Sequence, residues 1–75
     1  MMKYIRFEDQ GLVIFEERLR HSDVADKFAP DKPLSAGSVA GDDLNEPRCL
    51  GESATLKLVS NPEDTALLRR RLEFL

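Results

Sequence analysis

The chain has 75 residues, 41% of them apolar and 33% charged, with a formal net charge of −3, which leaves one domain over 1–75 and excludes a multidomain protein. With no tryptophan and five aromatics, its interior has to come largely from 11 leucines, so a partner or a second copy would help so small a core. One cysteine and one histidine exclude an intrachain disulfide and a four-ligand Cys/His zinc site, and no run approaches the ~18 apolar residues needed to cross a bilayer.

Residues 3–8 alternate, with Ile5 and Phe7 on one side and Tyr4, Arg6 and Glu8 on the other, the period of a half-buried strand. Asp9-Gln10-Gly11 supplies turn chemistry, Gly11 taking positive φ at the bulge position of a three-residue hairpin loop. Leu12-Val13-Ile14-Phe15 is apolar on both faces, the pattern of a central strand covered on both sides. Residues 3–16 are therefore expected to form an antiparallel hairpin.

After the charged stretch Glu16–His21, Ser22 offers an N-cap hydroxyl, and Asp23 falls in the first turn, where the helix dipole favours negative charge. Val24, Ala25 and Phe28 share a helical face and Pro30 ends it, giving a helix of about two turns. A single helix from Glu16 to Phe28 is the rival; its apolar face would hold little besides Leu19 before Val24.

Pro30-Asp31-Lys32-Pro33 reads as a turn, and Leu34 to Ala40 as a strand of small residues weakened by Gly37. The polar segment 41–47 reads as an exposed hairpin loop. Arg48-Cys49-Leu50 is extended up to Gly51. From Ala54 to Val59, Ala54, Leu56 and Leu58 alternate with Thr55, Lys57 and Val59, which predicts a final strand. Asn61 then caps a C-terminal helix, with Pro62 in its first position and Glu63 and Asp64 in its first turn, Asp64 standing where a capping box has its acid. Leu68, Leu72 and Leu75 line its apolar face, widened by Leu67 and Phe74, and Arg69, Arg70 and Arg71 lie toward its far end.

The order is strand, strand, helix, strand, strand, an optional further strand, helix. It predicts an α+β fold with an antiparallel sheet of four to five strands and both helices packed on one face.

Each chemical candidate has a plain alternative. His21 is the only side chain that titrates near neutrality when unperturbed, yet beside a capping Ser22 it reads as an exposed loop histidine. Cys49 follows Arg48, but neighbours on a strand diverge, so it reads as a small core residue. Asp42, Asp43, Asn45 and Glu46 gather oxygen ligands without the spacing of a calcium loop. Gly37 to Gly41 lacks the Gly-Lys-Ser/Thr ending of a phosphate loop. Arg69, Arg70 and Arg71 fan over about 200° of helix circumference and make no single patch. In Leu34-Ser35-Ala36-Gly37, small residues allow close approach of a sheet neighbour, a helix or a second subunit. No cofactor is implied.

Three stretches, Tyr4–Glu8 with Gly11–Phe15, Pro33–Gly37 and Asn61–Leu68, resemble in that order short open reading frames of unknown function in bacteria and their prophages. The resemblance covers about half the chain and carries over no functional residues. It implies a cytoplasmic bacterial or phage setting and an accessory role.

The charge is mildly acidic, concentrated in residues 31–55 with two basic and five acidic side chains, which argues against a nucleic-acid binder. The charged N-terminus Met1–Glu8 argues against a secretory signal, and one unpaired cysteine fits a reducing cytoplasm. The expectation is a small non-enzymatic interaction module, self-associating or binding a protein through a sheet edge or a helix face. Arg69, Arg70, Arg71, Leu34, Ser35 and Gly37 are the candidate contacts. The alternative is a nucleic-acid-associated accessory protein using the arginine-rich helix.

Overall fold

The computed structural model describes residues 2–40 and 48–73, with side chains up to residue 70. The first two strands are β1 (Met2–Phe7) and β2 (Gly11–Phe15), followed by helix α1 (His21–Phe28), β3 (Pro33–Ala40) and β4 (Arg48–Leu50). The short strands β5 (Glu52–Ser53) and β6 (Leu58–Val59) then precede helix α2 (Pro62–Glu73). The result is a small α+β fold: a four-stranded antiparallel sheet in the order β2-β1-β3-β4, and a separate two-stranded sheet β5-β6.

The first hairpin forms as its sequence dictates. Phe7 pairs with Gly11, leaving a three-residue loop, and Gly11 sits at φ +85°, which an L side chain rarely adopts. The carboxylate of Asp31 accepts from the amides of Asp9 and Gln10 at 3.0 and 2.9 Å, and the amide of Glu8 donates to the carbonyl of Lys32 at 2.9 Å. These bonds tie the loop to the segment that leads into β3.

Alternate residues of β1 face two separate cores. Ile5 and Phe7 join Phe15, Ala36 and Val24 of α1, while Tyr4 joins Leu12 and Leu68 of α2. The two helices therefore cover opposite faces of the sheet rather than one, and β1 is buried on both sides, not on one. The polar end of tyrosine made its face look like a solvated one in the alternation; a phenol can be buried once its hydroxyl is partnered.

β2 is an edge strand, not a central one. A strand reads apolar on both faces when both faces are covered, and that says nothing about its hydrogen-bonding flank. β3 lies between β1 and β4 in the interior of the sheet.

α1 begins at His21, one residue before the expected cap. Its N-cap is Arg20, with no side-chain cap bond, and Ser22 is inside the helix. Residues 16–20 are not helical, so the shorter helix is the one that forms.

The alternation over Ala54–Val59 does not make a strand. Residues 54–57 form a turn with Lys57 at φ +57°, and only Leu58–Val59 pairs, with Glu52–Ser53. The amide of Ser60 closes the hairpin on the carbonyl of Gly51 at 3.0 Å, which lets Leu56 and Leu58 both pack on the α1-side core.

α2 has the predicted start. The amide of Glu63 donates to Asn61 Oδ1 and the amide of Asn61 donates to Asp64 Oδ2, each at 3.0 Å, a reciprocal capping box. The acidic segment with Asp42, Asp43, Asn45 and Glu46 lies outside the described residues, as do the side chains of Arg71, Leu72, Phe74 and Leu75.

Candidate functional site

Three places stand out, each on a different part of the sheet.

The first is the buried carboxylate of Asp64, fully screened from solvent on the α2 side. A carboxylate there is costly unless its oxygens are bonded. Oδ2 accepts from the Tyr4 hydroxyl at 2.5 Å and from the Asn61 amide at 3.0 Å, and Oδ1 accepts from Arg6 Nη1 at 3.3 Å. Arg6 also reaches Glu63 at 3.3 Å, near the surface. Burial, then the bond to Asp64 and its charge, push the Tyr4 hydroxyl well above its usual ionisation range. Cys49 packs against the same cluster, and its amide donates to Thr65 Oγ1 at 3.0 Å. Burial first, and the negative charge of Asp64 second, push its thiol up to about 11. The nucleophile of a reactive cysteine is the thiolate, so Cys49 is held in its unreactive form at neutral pH. The arrangement holds β1 to α2.

The second is a groove of about 240 Å³ lined by Lys3, Arg20, His21, Ser38, Glu52, Ser53, Ala54 and Thr55. His21 is 7% exposed, not the open loop residue its neighbours suggested. Its ring meets Phe15 edge-on with centroids 5.3 Å apart, and Nε2 lies 2.9 Å from the carbonyl of Gly37. A carbonyl only accepts, so Nε2 carries the proton. Lys3 donates to the carbonyl of Leu19 at 2.9 Å, which places its ammonium beside the start of α1.

The third is the outer flank of β2. Its residues carry neither charge nor proline, and Val13 and Ile14 are half-buried on opposite faces.

The candidate contacts from sequence are scattered. Arg69 and Arg70 are exposed on α2, and Leu34 is 44% exposed. Ser35 and Gly37 are buried within β3. A Cβ on Gly37 would lie 2.4 Å from the carbonyl oxygen of Leu50 and 3.3 Å from Tyr4 Cε1, so its smallness admits β4 and the tyrosine ring, a sheet neighbour rather than another subunit. The Ser35 hydroxyl is buried without a hydrogen-bond partner. His21 and Cys49 lie on opposite faces of the sheet and cannot act as a base and nucleophile pair.

Sequence reasoning missed the Tyr4–Asp64 pair and the groove. Asp64 carried a signal only for helix capping, and nothing local links positions 60 residues apart. Among the described residues no group of three or more His, Cys, Asp or Glu side chains could hold a metal ion, and no helix is long and apolar enough to cross a membrane. Comparison with protein-family models, with curated proteins and with solved structures finds no match to this chain.

Proposed function

We propose that this protein is a small non-enzymatic interaction module that pairs with a second copy of itself through β2, an edge strand of its sheet. The observation that carries the reading is that β2 (Gly11–Phe15) is an edge strand of its sheet and holds none of the charges, prolines or bulges that normally blunt one. An identical strand laid antiparallel against it opposes no like charges, and main-chain hydrogen bonds across such an edge supply affinity. Val13 and Ile14, each half-buried, would gain cover on both faces at once. The thin core of the chain gives that cover value. The cytoplasm of a bacterium or of a phage-infected cell is the setting the sequence resemblance implies.

Sedimentation equilibrium over a micromolar concentration series tests the proposal. Self-association is expected, and Val13→Lys and Ile14→Lys, one on each face, should each weaken it while circular dichroism stays native. A wild type that remains monomeric throughout the series, or folded lysine variants that associate like the wild type, would refute it. Retention of a labelled oligonucleotide at low salt, lost in Arg69→Gln or Arg70→Gln, would move the function to the surface of α2 instead.

A further inference from the structure

We draw no further inference here: the strongest candidate, the Ser35 hydroxyl buried without a hydrogen-bond partner in β3 and set opposite Arg6 in the β1–β3 register, carries nothing, because Arg6 is already held by Glu63 and Asp64 in the cluster described above and nothing among the described residues shows what the hydroxyl would bind.

Discussion

Tyr4 and Asp64, 60 positions apart, share a 2.5 Å hydrogen bond that joins the middle of β1 to the first turn of α2. The same carboxylate completes the capping box of α2 and pairs with Arg6, so one buried side chain serves the strand, the helix start and the charge balance of that face. Leu12 and Leu68 pack with Tyr4 in the core on that side.

Removing either end should be costly in different measure. Tyr4→Phe leaves Asp64 with one fewer donor and should cost about 1–3 kcal/mol. Asp64→Ala strands the buried Tyr4 hydroxyl and the Asn61 amide together, leaves Arg6 only its Glu63 partner, and should cost more, about 3–5 kcal/mol. Urea unfolding of the two variants checks the order, and an Asp64→Ala protein as stable as Tyr4→Phe would contradict it.

Asn61→Ala should cost about 1 kcal/mol, because it removes the acceptor for the Glu63 amide while leaving the Asn61 amide bonded to Asp64. Asn61→Ser or Asn61→Asp should recover most of that loss. Thermal unfolding of the three variants makes the comparison.

Gly37→Ala should loosen the pairing of β3 with β4. The new methyl would meet backbone oxygen at 2.4 Å, which a side-chain rotation cannot relieve, so β4 has to move; overpacking of this kind costs about 1–3 kcal/mol. Amide hydrogen exchange should accelerate at Leu50, which pairs with Ser38, while β1 and β2 keep their protection.

Alkaline conditions should destabilise the fold. In the unfolded chain Cys49 ionises near 9.0, and in the folded chain only near 11, so across that window the native state keeps a proton that the unfolded state has released. Stability is then whole below pH 9 and falls as pH rises. Tyr4, also held above its ordinary 10.0, adds a loss of the same sign from pH 10 upward. Urea midpoints below pH 9 and near pH 11 measure the drop, and Cys49→Ala should remove the part that begins at pH 9.

Features with local causes were legible in the residues. The three-residue loop that Gly11 closes, the two-turn α1 ending before Pro30 and the Asn61–Asp64 cap each depend on residues within a few positions of one another. The alternation at Ala54–Val59 was as clear as that at residues 3–8 yet became a turn, because β5 and β6 pair only with each other, and Leu56 and Leu58 gain more by reaching one core together than by lying along a strand. Ser22 failed as a cap for a related reason: with His21 drawn onto the Gly37 carbonyl and the edge of Phe15, the helix starts one residue early.

By itself, then, the order of residues determined the order of elements, the α+β class, the first hairpin and the cap of the last helix, since backbone preferences and capping act over four or five residues. The tertiary structure decided which strands lie at the edges of the sheet, which face each helix covers, that Asp64 and His21 are buried, and that Gly37 admits β4. Those depend on contacts between distant segments, whose energies come from shared burial and from polar groups that find partners only once the layers have closed.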